Sequence, residues 1–547
     1  MKFLHNLLIA LLLCGTGLYT SSCVNLILPE TDGTADTEMG DEDAEDVEDE
    51  EEESEGEYEE EEEDTKGGEF VLLFTNDFHS QVEPIDRRDA YDPDMGGAAR
   101  LKALVDSVRT AEPAVLLTDS GDMVEGTFYF NLYSGEVEMM ILDEIGYDVR
   151  TIGNHDLSKK VVGLNEMFSM CKVPVVCSNY DFSNSIAAGY VKKSKMFKAG
   201  NVKVGVIGLN VKLEGLVDPE AYEGISWKHA ITEADTEAEK LRLQGADIIV
   251  ALSHIGLYGG TNDDISIAMN TRNIDVILSG HTHSTALPQG EYVTNLDGEQ
   301  VLIGHTGSNG KHLGYAKIKI TEEGIPSYEC RLIPVDSRLD NRIDHNFVSK
   351  IDSYCEGTGM NDIIGECPYM MYKYSGLDYP LGNMSADALI WMAKQYHGVD
   401  ADVSFYNTGG VRNPIFAGEC RVKDIYFSFP FDNLLTTFPI SGEDLYKVFS
   451  NIARSKGLLV NGDVRLVIAD NSIKSLTIKG EELDRSKVYN VATINYVANL
   501  SKHGMSHLEK RESEETITKY FVEYFKYYAQ QNGGEISYQS DGRVVIE

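Results

Sequence analysis

The stretch "IDVILSGHTHS", Ile274 to Ser284, runs as an apolar strand up to Gly280 and then offers His281 and His283, one threonine apart. Alternate positions of an extended segment share a side, so both imidazoles can face one centre. Four earlier segments end in the same manner. "EFVLLFTNDFH" (Glu69–His79) runs into Asp77 and His79, and "AVLLTDSGD" (Ala114–Asp122) runs into Asp122. "DVRTIGNHD" (Asp148–Asp156) runs into Asn154, His155 and Asp156, and "ADIIVALSHIG" (Ala246–Gly256) runs into His254. The helical stretches "GAARLKALVDSVRTAE", "EVEMMILDEIGY" and "TEAEKLRLQG" lie between them, the first with Leu101, Leu104, Val105 and Val108 at helical spacing. Strands alternating with helices between Gly68 and about Asp336 predict a layered α/β domain. In such sheets the loops at the carboxyl ends of the strands converge, which is where functional groups collect.

Oxygen donors on Asp77, Asp122 and Asn154 and imidazoles on His79, His254, His281 and His283 exceed what one tetrahedral ion can use. Two divalent cations sharing a bridging carboxylate fit better, with Asp122 as the bridge. Nitrogen and oxygen donors without thiolate suit zinc, manganese or iron, and the sequence does not choose among them.

Composition narrows the setting. A chain of 547 residues has room for at least two cores, and its formal charge of −43 is unevenly spread. Asp41 to Asp64 is almost entirely acidic, a self-repelling run that reads as an extended tether over residues 24–67. No Lys/Arg-rich stripe occurs, which argues against nucleic-acid binding. The first 23 residues carry an early lysine, a short apolar stretch and small polar residues before Cys23, the pattern of a bacterial lipoprotein signal. Cys23 is the expected lipidated residue. The protein is expected to be exported and anchored to a membrane by lipid, in the periplasm or at the cell surface. Cys171, Cys177, Cys330, Cys355, Cys367 and Cys420 match no zinc module and are expected to be structural. Oligomeric state is not legible.

Beyond the first domain, residues 336–357 read as a linking helix and 358–547 as a second, smaller α/β domain. "LGNMSADALIWMAKQYHG" is an amphipathic helix with Leu389, Met392 and Ala393 on one face. In "YNTGGVRNP", the adjacent glycines Gly409 and Gly410 between Asn407 and Arg412 let backbone approach a ligand, and an arginine fork can grip phosphate.

In order, "NDFH", "GDMVEGT", "GNHD", "SH" and "GHTH" resemble the calcineurin-like metallophosphoesterases, and the finer match is to the 5′-nucleotidase family. "YNTGGVRNP" and "FPFDN" resemble that family's C-terminal domain. The resemblance implies a four-layer α/β/β/α sandwich over residues 68–335 with the smaller domain after it. It implies Asp77, His79 and His283 on one ion, Asn154, His254 and His281 on the other, and Asp122 on both. It implies hydrolysis of nucleotide phosphomonoesters, with Phe431 and Tyr496 clamping the base and Asn407, Gly410 and Arg412 at the phosphate. His155 is expected to stabilise the transition state or protonate the leaving group, with Asp156 or Ser158 orienting it.

The chain also departs from the family. "GNHDLS" places Ser158 where an acid partners the catalytic histidine, and "NLSKHG" stands where "NGGDG" is usual. Thr408 replaces a glycine, and Ser375, with Lys373 close by, stands where a basic residue precedes the LGN helix. Two alternatives therefore stay open: a related esterase for 2′,3′-cyclic nucleotides, UDP-sugars or a non-nucleotide phosphate, and a surface binding protein with little turnover.

Overall fold

Side chains of the strand Gly68–Thr75 point alternately into two different cores. Phe70, Leu72 and Phe74 pack with Val204, Val206, Ile248, Val250, Val276 and Leu278 of a second sheet, whereas Val71 and Leu73 pack with helix residues such as Leu101, Val105 and Leu142. A strand buried on both faces is a near-continuous apolar run, as here. Each such side chain contributes about 1.5–3 kcal/mol when buried. On the far face of the second sheet, Ile207, Leu209 and Ile249 meet Ala234, Ala238 and Leu241 of the helix Ala230–Leu243. The layers are therefore helix, sheet, sheet, helix, the four-layer sandwich expected from the resemblance.

The computed structural model describes residues 67–547 apart from 259, 261, 286 and 373–375. The signal segment, Cys23, the acidic run, Lys373 and Ser375 lie outside the described residues. In the seven-stranded sheet, Gly68–Thr75, Val115–Asp119 and Val149–Arg150 are parallel neighbours, Thr75 opposite Asp119. In the six-stranded sheet, Val202–Asn210, Ile248–His254, Val276–Ser279 and Gln300–Gly304 are parallel neighbours. Ser120 joins the sheets at their carboxyl ends: its hydroxyl donates to the Leu278 carbonyl at 2.8 Å, and its own carbonyl lies 2.8 Å from His254 Nδ1. Both sets of strand ends thus open on one edge.

The connection expected as one helix is divided. A 3-10 turn spans Ser337–Arg342, and the helix His345–Cys355 begins afresh where the Asp344 carboxylate accepts from the Asn346 and Phe347 amides. Beyond it, the helix Pro380–His397 packs on a five-stranded mixed sheet and stops at Gly398, in the left-handed conformation. A four-stranded sheet completes this part. Its outward loops touch the first part: Arg88 donates to the Ala417 and Glu419 carbonyls at 3.1 and 3.0 Å, and Lys423 pairs with Glu83 at 2.9 Å. All six cysteines from Cys171 onward are free thiols. Among the described residues no helix is long and apolar enough to cross a membrane.

Candidate metal centre

Three of the strands that end at the shared edge turn sharply, and candidate ligands occupy those turns. Asp77, His79, Asp122, His281 and His283 all adopt positive φ, between 50° and 67°. That region is uncommon for residues with a Cβ and costs roughly 1–3 kcal/mol each, a strain that persists where the surroundings impose it and that clusters at functional sites. The glycine beside Asn154 is required by crowding: a Cβ on Gly153 would stand 2.0 Å from Asp122 Oδ1.

The side chains gather as two triplets. Asp77, His79 and His283 form one, and Asp122, His254 and His281 the other, each with donor atoms within 4.8 Å of one another. In the first, His283 Nε2 lies 3.1 Å from Asp77 Oδ1 and 3.0 Å from His79 Nε2. In the second, His254 Nε2 lies 3.0 Å from Asp122 Oδ2. The triplets adjoin, since His79 Nε2 is 3.9 Å from Asp122 Oδ2 and His254 Nε2 is 3.9 Å from Asp77 Oδ1. Asp122 therefore faces imidazoles of both.

The donor set fits a pair of cations. His79 Nδ1 lies 3.0 Å from the Glu125 carbonyl and His254 Nδ1 lies 2.8 Å from the Ser120 carbonyl, so each ring gives its Nδ1 proton to backbone and turns Nε2 inward. Asn154 Oδ1 is buried without a hydrogen-bond partner, an expensive condition for a polar atom without a ligand. The pocket also demands positive charge. Burial works against a protonated His254, yet the Asp122 and Asp77 carboxylates outweigh it and raise its pKa to about 10. His79 and His281, where burial dominates, fall to about 3 and about 4 and are neutral at physiological pH.

His155 sits beside the centre, its ring centroid 5.1 Å from that of His79, while its amide donates to Asp122 Oδ1 at 2.8 Å. Its Nδ1 is hydrogen-bonded to the Glu125 carboxylate. Asp156, expected as a candidate orienter, faces the other way. Its Oδ2 accepts from the Gly153 and Asp122 amides at 2.7 and 3.1 Å, and its Oδ1 lies 3.6 Å from the buried Arg150 guanidinium. Asp156 shapes the loop and does not touch the imidazole. Sequence reasoning missed Glu125, although it lies inside "GDMVEGT".

The expected substrate residues of the second part are only partly brought to this centre. Phe431 stacks on His155 with centroids 6.2 Å apart, and the Arg412 guanidinium stands 5.7 Å from the Phe431 ring centroid. Asn407 ends the strand Val403–Asn407 with its Oδ1 buried and unpartnered, and the Gly410 carbonyl accepts from the Tyr406 hydroxyl at 3.2 Å. Tyr496 lies on the short helix Asn495–Asn499, tied to the Phe431 loop where Asn495 Oδ1 accepts from the Leu434 amide at 3.0 Å. Among the described residues Phe431 has ring contacts with His155 and Arg412 and none with Tyr496, so a two-sided aromatic clamp is not closed here. A further tie was not foreseen: Asn131 donates to the Pro430 carbonyl and to Asp432 at 2.7 and 2.8 Å, and Lys159 pairs with the same carboxylate.

Residues 70–285 match the family model for calcineurin-like phosphoesterase, and residues 365–509 match that for the 5′-nucleotidase C-terminal domain. The chain therefore joins a match to the calcineurin-like phosphoesterase domain with a match to the 5′-nucleotidase C-terminal domain, in that order. Relatives include the snake venom 5′-nucleotidase of Gloydius brevicauda, 27% identical over 71% of each chain. The 5′-nucleotidase of Homo sapiens is 26% identical over 71% of this chain and 72% of its own. Protein UshA of Yersinia enterocolitica is 25% identical over 88% of this chain and 94% of its own. Among solved structures, the 5′-nucleotidase precursor from Thermus thermophilus superposes with a TM-score of 0.77 at 22% identity, covering 88% of this chain and 99% of that one, a likeness of fold.

Proposed function

We propose that the protein is a dinuclear metal-dependent phosphohydrolase that releases phosphate from nucleoside 5′-monophosphates or related nucleotides outside the cytoplasm. The observation that carries this reading is the meeting of two adjoining ligand triplets with His155, Phe431 and Arg412 at one edge of the sandwich. Asp77, His79 and His283 would hold one divalent cation, Asn154, His254 and His281 the second, and Asp122 would bridge them. Cations bound there would lend Lewis acidity to the phosphoryl oxygens and make water a competent nucleophile near neutral pH.

The chain supplies the rest. The Arg412 guanidinium would pair with the phosphoryl oxygens, a charge-assisted contact to which the Asn407 Nδ2 group can add by donating. The Phe431 ring would give the base a stacking face on the same side as the reacting phosphorus, with Tyr496 approaching when the loop tied by Asn495 closes. His155 would give the proton on Nε2 to the departing ribose oxygen as the ester bond breaks. The N-terminal segment would export the chain and Cys23 would anchor it, so that the reaction would run outside the cytoplasm.

The test is a phosphate-release assay on purified chain from Gly68 onward against nucleoside 5′-monophosphates, 2′,3′-cyclic nucleotides, UDP-sugars and an aryl phosphate, before and after chelation. Metal-dependent turnover that is fastest on 5′-monophosphates supports the proposal. Fastest turnover on another ester would move the substrate to that class, and no turnover with metals restored would favour a binding protein.

A further inference from the structure

We propose that Glu125 is the positioning residue of His155, replacing in space the carboxylate that Ser158 lacks. The inference rests on the reading of His155 as the group that protonates the leaving oxygen. Three observations carry it. First, the Glu125 Oε2 atom is the carboxylate oxygen bonded to His155 Nδ1, while the nearest acid in sequence, Asp156, is bound to loop amides on its other side. Second, the Ser158 hydroxyl donates to the same Oε2 at 2.5 Å. Ser158 therefore does not act on the imidazole; it anchors the acid that does. Third, the backbone of Glu125 is bent to make this reach possible, with φ of 67°, and the glycine that follows has no space for a side chain, since a Cβ on Gly126 would lie 2.1 Å from the His79 carbonyl.

One residue consequently serves two histidines. The Glu125 carbonyl accepts the Nδ1 proton of His79, turning that ring toward the metal centre. Its carboxylate accepts the Nδ1 proton of His155, so in the charged imidazolium the second, transferable proton sits on Nε2. When the bond between phosphorus and the ribose oxygen breaks, that oxygen keeps the electron pair and takes the Nε2 proton. The carboxylate holds the ring in line before transfer and recovers it after reprotonation from water.

The test separates positioning from structure by leaving group. Glu125→Gln and Glu125→Ala are compared with parent on a nucleoside 5′-monophosphate, whose alkoxide needs a proton, and on p-nitrophenyl phosphate, whose phenolate leaves unaided. Expected are a fall in kcat of about 10²-fold on the nucleotide, little change in its KM, and less than a few-fold change on the aryl phosphate, at unaltered metal content. The pair Glu125→Ala with Ser158→Asp should recover part of the loss by returning a carboxylate to His155. Nitrogen-15 spectra of the imidazole should lose the protonated Nδ1 signal of His155 in Glu125→Ala and regain it in the double variant. Equal loss on both substrates, or nucleotide turnover equal to parent, would overturn the assignment. His155→Ala is the control: if it too is active on the nucleotide, the role of His155 itself fails, whereas an inactive His155→Ala beside an active Glu125→Gln removes only Glu125.

Discussion

The rings of Phe431 and His155 lie 6.2 Å apart, inclined by 24°, although 276 positions of sequence and a change of domain separate them. The second half of the chain thus delivers an aromatic face directly to the histidine beside the metal centre. A planar base bound on Phe431 would be held within reach of the reacting phosphate, and stacking of this kind contributes about 1–3 kcal/mol per base. Phe431→Ala is expected to raise KM for nucleotides by roughly tenfold or more. KM for a small aryl phosphate should barely move. Steady-state kinetics on the two substrates checks this, and parallel changes would remove the stacking role.

His155 is next to Asn154 in sequence but touches the centre through its amide, which donates to Asp122. The side chain is therefore separable from metal binding. His155→Ala should lower kcat on a nucleotide by about 10²–10⁴-fold with both metals retained. Elemental analysis alongside kinetics decides it, since joint loss of metal and activity would make the imidazole a ligand.

Two buried carboxylates facing four imidazoles form a pocket whose charge balance depends on what it holds. Chelation is expected to abolish turnover and to lower Tm, and Tm should climb again with the concentration of added cation, as for any ligand that binds the folded form alone. Asp122→Asn should be the most damaging single change at a ligand, because Asp122 faces both triplets. A Tm indifferent to metal, measured by calorimetry, would contradict this account.

How much of the centre could be read from the chain follows from where its residues sit. His254 ends a strand and Asp77, Asp122, Asn154 and His281 follow strand ends within a few residues; strand ends of parallel sheets share an edge, so spacing and periodicity suffice to predict their meeting. Glu125 escaped because its reach depends on a left-handed turn after Asp122, and Glu is not a residue that announces such a turn. Asp432 and Lys159 lie in loops of different domains, and nothing local marks two loops as neighbours. Ser158 was visible as a departure, but its meaning needed the tertiary contact with Glu125.

Behind the centre, Glu138 is fully buried with Oε2 unpartnered, and burial raises its pKa to about 7; Asp119 is raised to about 7 for the same reason. The sign follows from linkage. Each folded-state pKa lies above that of the unfolded chain, so between roughly pH 4.5 and 7 the native state holds more protons than the unfolded state. Their contribution is complete below the unfolded pKa and is lost as pH rises through the folded one, at up to about 1.4 kcal/mol per pH unit per group. Glu138→Gln should flatten that decline. Denaturant titrations at several pH values check it, and an unchanged slope would show that Glu138 is already ionised.

The tie across the halves carries the last expectation. Asp432 receives Lys159 on one oxygen and Asn131 on the other, and Asn131 also holds the Pro430 carbonyl, so both residues flanking Phe431 are gripped by the first domain. Removing the carboxylate leaves Lys159, only about a quarter exposed, without its counter-charge, and a part-buried cation of that kind is costly to leave unpaired. The loop carrying Phe431 should then lose its fixed place over His155 while the two cores stay intact. Asp432→Ala is expected to raise KM for nucleotides several-fold, to leave metal content unchanged, and to widen the molecule in small-angle scattering. Asp432→Asn, which keeps the oxygen facing Asn131 but drops the charge, should fall between the two. If neither variant alters KM or dimensions, the ion pair is not what holds Phe431 at the centre, and the packing of its loop must be enough.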